Sequence, residues 1–284
     1  MPVRSLPRSW INPAYLGAVV FGCALLVAAG VYVPRTSMLA ITLAAFVCEF
    51  VDSAFGMGFG TILTPIFLLM GFSPTEAVSV VLVSELLTGF GAALFHAKDE
   101  NVSFARGSKH LSAGILLSIG SVLGVFIGAP VFIKASVRLL TLCIGAIITL
   151  SGVAILYCID HRLRYRKSGV FTLAVIAAFN KTLSGGGYGP LMTSGQLLVG
   201  VEAKAAAAIT SLSEGVTCLA ASAIFVASRG HYNVDLLIAV LTGSLLAVPF
   251  ATSSVRRLDE RTVKKAIGVT TILLGCWTVA KTLR

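Results

Sequence analysis

The chain has 284 residues, a mean hydropathy of +0.93, 56% hydrophobic residues and only 12% charged ones. Soluble domains keep about a quarter of their residues charged, so a soluble globular protein is excluded and most of the chain must face lipid or other buried helices. The formal net charge is +10, but the basic residues fall in short clusters between apolar runs, as in cytoplasmic loops, and form no basic-aromatic surface for nucleic acid.

In chain order, Arg4 and Arg8 precede an apolar run from about Tyr15 to Val33. The run is near the ~20 residues that a span requires and no small-x-small cleavage site precedes Pro34, so 1–34 reads as an uncleaved first transmembrane helix. Full spans follow at 75–96, 111–133, 137–157, 203–227, 234–254 and 263–283, with the first at 14–33. Two further stretches, 37–72 and 169–200, each hold two apolar segments around a glycine-rich break, Ala54–Gly60 and Ser184–Pro190. Arms such as 61–70 are too short for a ~30 Å hydrocarbon core at about 1.5 Å per residue. These stretches read as broken helices or re-entrant hairpins. None of the six cysteines forms a C-x-x-C pair and the four histidines are scattered, so no metal site or cofactor is expected and the cysteines read as small apolar fillers.

The two halves are related. A shift of 129 residues places Phe50 on Phe179, Asp52 on Lys181, Gly56 on Gly185, Gly58 on Gly187 and Gly60 on Gly189, and continues through Ser84/Ser213, Glu85/Glu214 and Thr88/Thr217. Beyond a loop six residues longer in the first half, a shift of 123 aligns Ser121/Ser244, Arg138/Arg261, Gly145/Gly268 and Gly152/Gly275. The expected domains are therefore the first helix (1–34), a first repeat (35–158), a basic cytoplasmic linker (159–168) and a second repeat (169–284).

Lys and Arg gather at Arg4/Arg8, Lys98/Arg106/Lys109, Arg162/Arg164/Arg166/Lys167 and Arg256/Arg257/Arg261/Lys264/Lys265. Placing all four clusters in the cytoplasm puts the N-terminus inside and the C-terminus outside, and turns the second repeat upside down relative to the first. Lys134 and Arg138, near the outer side, fit this scheme least well. The expected fold is an all-α, multi-pass cell-membrane protein: two inverted repeats, each a glycine-broken, re-entrant helix pair plus three transmembrane helices, after one extra N-terminal helix.

Inverted repeats with broken helices mark transporters, because the two breaks can meet near the midplane. The start of a half-helix offers free N–H groups and the positive end of its dipole, which attract anions. The expected partners are thus a small anionic substrate and the lipid bilayer. Gly58, Phe59, Gly60 and Thr61 in the first break, and Gly187, Tyr188 and Gly189 in the second, are the candidate substrate-binding positions. Asn180, Lys181 and Ser184 join them as side chains able to face oxyanion oxygens; Thr182 is a further possible donor. Lys181 has two open roles, a positive charge for the anion or a structural pair with Asp52. Glu49 also lies just before the first break. Ionisable groups at membrane depth are costly and tend to be functional, so Asp52, Glu85 and Glu214 are candidates for proton coupling. A C2 homodimer is the default for a homo-oligomer, though no residue demands it.

At these residues the chain resembles the sulfite exporter TauE/SafE family of permeases. The stretch Val51-Asp-Ser-Ala-Phe-Gly-Met-Gly-Phe-Gly60 with Thr64-Pro65 and Gly71-x-x-Pro74 is similar to its first glycine motif. Leu183-Ser-Gly-Gly-Gly-Tyr-Gly189, with Gly200 and Ile209-Thr-Ser-Leu212, is similar to its second, and the resemblance spans about 37–283. It implies secondary transport of sulfite, a sulfonate or a related organosulfur anion, often as export. Met57, Phe59 and Lys181 depart from the pattern, and Phe59 and Tyr188 are placed to narrow the site or stack on an organic group. A passive anion channel is the alternative. A membrane enzyme is disfavoured, since no nucleophile, metal or acid-base cluster sits at a water-accessible rim.

Overall fold

A computed structural model describes residues 38–160, 167–198, 201–229, 232–255 and 260–284. The span expected at 14–33, the question of its cleavage, and most of the basic linker lie outside the described residues. Within them the chain is helices and turns, with no strand. The order is α1 (Met38–Phe55), α2 (Phe59–Leu69), α3 (Pro74–Lys98), α4 (Lys109–Lys134), α5 (Val137–Asp160), α6 (Lys167–Ser184), α7 (Tyr188–Leu198), α8 (Ala203–Arg229), α9 (Val234–Ser254) and α10 (Glu260–Leu283).

The boundaries follow from local chemistry. Ser73 caps α3 in a reciprocal box with Glu76, with Pro74 in the first turn where its missing N–H costs nothing. Ser108 and Asn233 cap α4 and α9 through their side chains. α2 ends on Gly71, and the Phe72 N–H bonds back to the Phe67 carbonyl, closing the last turn.

Seven of the described helices are long and apolar enough to cross a membrane: α1, α3, α4, α5, α8, α9 and α10. Six are the uninterrupted spans expected from the sequence. The seventh corrects an expectation. The first arm of the 37–72 stretch is not short: α1 has 18 residues, about 27 Å at 1.5 Å per residue, because its helix runs through Glu49 and Asp52 up to the glycine. The second arm, α2, has 11 residues, about half of a ~30 Å core. α6 and α7 repeat these lengths, 18 and 11 residues.

The helices pair across the two halves of the chain: α5 on α10, α1 on α9, α4 on α6 and α3 on α8. Small residues let α5 and α10 approach closely, with Gly145 and Gly152 against Gly275 and Gly268. Leu39, Leu94, Phe126 and Leu150 point outward and exposed, a surface suited to acyl chains rather than water. Polar contacts tie the ends. At one end Asn233 donates to Glu76, and Lys281 to the Leu69 carbonyl. At the other, Thr252 donates to Asp99, and the Asn101 amide to the Thr252 carbonyl.

Candidate functional site

Each broken pair turns on a glycine held at positive φ, where a side chain would be strained: Gly56 at 67° and Gly185 at 68°. These turns aim α2 and α7 back toward the bundle centre, where the two breaks cross. The crossing is so close that a Cβ on Gly60 would overlap the Gly185 carbonyl oxygen, and one on Gly189 would overlap that of Gly56. Those four positions exchange under the 129-residue shift. Thr193 donates to the Gly56 carbonyl at 2.8 Å. Its counterpart Thr64 lies beside Gly185 with its hydroxyl buried and unbonded.

The candidate residues divide at this crossing. Gly60, Thr61 and Gly189 touch the opposite break, with Gly58, Phe59, Gly187 and Tyr188 next to them along the chain, and all seven are buried. The hydroxyls of Thr61 and Ser184 are occupied in the turns: Thr61 donates to the Gly58 carbonyl, and Ser184 to the Asn180 and Gly186 carbonyls. Asn180 is half-buried at the end of α6. The Thr182 hydroxyl donates to the Ala178 carbonyl, one turn back along α6. The Tyr188 hydroxyl bonds Ser121 at 2.8 Å, which holds the ring against α4. Phe59 stands at the matching place in the first half and has no hydroxyl to offer, and there Ser84 and Ser244 bond each other directly at 2.8 Å.

The ionisable residues converge beside the crossing. Asp52 and Lys181, equivalent by the repeat, do different work. Asp52 Oδ1 accepts from the Phe59 N–H at 3.2 Å, so a carboxylate sits on the first exposed donor of α2. Lys181 Nζ donates to Glu214 Oε1 at 2.8 Å and to Glu85 Oε2. Its ion pairs are therefore with the glutamates of α3 and α8, and Asp52 is not one of them. The reason is reach: the long lysine stem carries the ammonium onto the glutamates of the two helices packed at the centre, while the short aspartate bonds the Phe59 N–H across the break.

Carboxylate oxygens of Asp52, Glu85 and Glu214 come within 4.8 Å of one another. Such a set can hold a cation, and the ammonium of Lys181 is the cation bonded to two of them. Lys181 is 1% exposed, Glu85 2% and Glu214 3%, so the charges interact with little solvent between them. Glu85 Oε1 remains without a hydrogen-bond partner.

The sequence reading placed Glu49 near the break but gave it no role, and passed over Ser53, His96 and Asn101. Ser53 donates to Glu49 Oε1 at 2.6 Å, the His96 Nε2–H donates to the Ser53 carbonyl at 2.7 Å, and the Asn101 amide donates to His96 Nδ1 at 3.1 Å. The available signal was a histidine closing the apolar run 75–96, where an ionisable side chain is costly.

A family model described as "Sulfite exporter TauE/SafE" matches residues 41–278. A protein described as "Probable membrane transporter protein YtnM", from Bacillus subtilis (strain 168), is 25% identical over 243 residues, covering 81% of this chain and 79% of the relative. No solved structure gives a significant match.

Proposed function

The chain belongs to the sulfite exporter TauE/SafE family of membrane transporters, and from that premise we propose that it is a secondary carrier for a small sulfite- or sulfonate-class anion, coupled to protons. The observation that carries this reading is the buried Lys181, paired with Glu85 and Glu214 beside two half-helix starts. A half-helix start accepts an anionic oxygen, as the Asp52 carboxylate on the Phe59 N–H illustrates. At the equivalent place before α7 stands Lys181, so the residue that caps α2 has no acidic counterpart at α7. The substrate anion takes that position, on the N–H groups around Gly187–Leu191 and within reach of the Lys181 ammonium. Gly58–Thr61 supply the second half of the cradle once Asp52 is released.

Charge balance supplies the coupling. While both glutamates are ionised, Lys181 has no charge left for a ligand, and an added anion meets repulsion at low dielectric. A proton on Glu85 or Glu214 frees the ammonium, so proton and anion load together. Asp52 is the third group able to hold that proton. A divalent anion moved with one proton still carries net negative charge, which a cell potential negative inside drives outward at about 2.3 kcal/mol per charge per 100 mV. Export is the proposed direction. Alternating access rocks one repeat against the other around the crossing, with the repeats inverted and the basic loops cytoplasmic.

Flux of sulfite and a panel of small sulfonates into proteoliposomes, with and without a pH gradient, is the test. Saturable movement that follows the gradient is expected. Channel-like current without gradient dependence would favour a passive pore. No flux of any anion through folded, inserted protein would remove the anion reading.

A further inference from the structure

The polar groups around the central cluster are not symmetric. Under the repeat, Glu49 corresponds to Ala178 and His96 to Phe225, which packs edge-on against Phe132 with centroids 4.6 Å apart. The second half is apolar where the first half has a carboxyl and an imidazole. Both polar side chains are fully enclosed: Glu49 is 1% exposed and His96 0%. Burying them costs several kcal/mol of hydration unless they are bonded or used, and repeat symmetry does not require them.

They are also connected. A cavity of about 530 Å³ opens at the end of the bundle that carries the Lys98–Lys109 loop, lined among others by Asn101, Ser103, His110, Glu202 and Lys204. From its wall Asn101 bonds His96, His96 bonds the Ser53 carbonyl, and the Ser53 hydroxyl bonds Glu49. Glu49 Oε2 has no bonded partner. The charged groups facing Glu49 are Asp52 on its own helix and Glu85 on α3, with Thr88 beside it. The charged group facing His96 is Asp99. The hydrogen bonds therefore run from this cavity, through buried polar side chains, to Glu49, whose charged neighbours Asp52 and Glu85 belong to the central cluster.

We propose that Asn101, His96, Ser53 and Glu49 form a one-sided proton path from this cavity to the central cluster, with Glu49 as its inner station. The inference rests on the proton-coupled reading above and assigns the route. His96 is neutral in the structure, since its Nε2–H donates to a carbonyl and its Nδ1 accepts from Asn101. Turning the Asn101 amide presents its oxygen to Nδ1, which then takes a proton from cavity water. The ring then swings its Nε2–H from the Ser53 carbonyl to the Ser53 hydroxyl; as that N–H bond breaks and a new serine O–H bond forms, the original serine O–H bond breaks to protonate Glu49, which hands the proton to Glu85 by a side-chain movement. The only species moved is H⁺, and no group is oxidised or reduced. Because Ala178 and Phe225 leave no matching side-chain route in the second half, this path serves one face, and the proton leaves to the other face along the substrate pathway.

Two measurements on the full-length protein in liposomes test this. The first clamps the membrane potential and imposes a one-unit pH gradient on methanesulfonate. One proton per monovalent anion supports up to about tenfold accumulation; wild type is expected to approach it and Glu49→Gln to stay near a ratio of one, with downhill flux no longer following pH. The second needs no substrate. Infrared pH titration is expected to show a protonated-carboxyl band that Glu49→Gln lacks and whose hydrogen–deuterium exchange is slowed about tenfold or more by His96→Phe, the residue of the dry half. Full accumulation by Glu49→Gln, or an unchanged carboxyl band and exchange rate in both variants, would overturn the path. Failure of wild type to move any anion would count against the carrier reading, and the infrared result would still decide the path.

Discussion

Lys181 concentrates the energetics of the site in one side chain. Its ammonium is bonded to carboxylates from two helices, and removing one partner of a buried pair leaves an uncompensated charge that typically costs 3–5 kcal/mol, about the same here. Lys181→Met is therefore expected to lower the thermal unfolding temperature in detergent and to abolish anion flux. Adding Glu85→Gln and Glu214→Gln removes the orphaned charges and is expected to restore stability without restoring flux. If Lys181→Ala alone left affinity and rate intact, its place in the site would be lost. The residue types of this cluster were readable in the sequence, because Glu85, Glu214, Asp52 and Lys181 interrupt apolar runs at matched positions. The pairing was not readable. Repeat symmetry set Lys181 opposite Asp52, whereas the reach of the lysine stem and the packing of α3 on α8 decide its partners.

At the scale of elements, two glycines separate crowding from backbone strain. Gly60 lies inside α2 with ordinary helical geometry, and its constraint is the Gly185 carbonyl of the crossing chain. Gly71 has φ of 90° and open space around it. Gly71→Ala is expected to cost about 1–2 kcal/mol from its left-handed backbone alone and to leave transport measurable. Gly60→Ala forces two backbones apart; overpacking of about 1–3 kcal/mol or more is expected to appear as low folded yield on size-exclusion chromatography and loss of flux. Equal effects of the two would mean that the crossing is not as tight as its geometry. The broken pairs themselves were legible, since glycines cluster at 56–60 and again at 185–189 and the arms beyond are short. The full length of α1 was not, because acidic residues at its end suppress the apolar signal while neighbouring helices bury them.

For the whole molecule, the pairing of helices across the two halves explains why neither half buries its own polar face. α1 and α6 lean on α9 and α4 of the other half, and the central α3 and α8 carry one glutamate each into the shared cluster. Orientation is a separate matter, because no helix contact says which face meets the cytoplasm. The proposed orientation rests on charge: the loop with Lys98, Arg106 and Lys109 shares an end with Thr252 and precedes α4, while Lys134 and Arg138 lie at its far end. Ala105 is exposed in the basic loop and Lys134 is exposed at the end of α4. In a background stripped of native cysteines, Ala105→Cys is expected to react with an impermeant thiol reagent only in inside-out vesicles, and Lys134→Cys only in intact cells. About 26 residues of helix at 1.5 Å each, near 39 Å, separate the two positions, enough to cross a ~30 Å core, so the two patterns must be opposite. If both reversed, the cavity beside Asn101 would face outward, and the proposed proton path would open to the exterior while the membrane potential still set the direction of net transport.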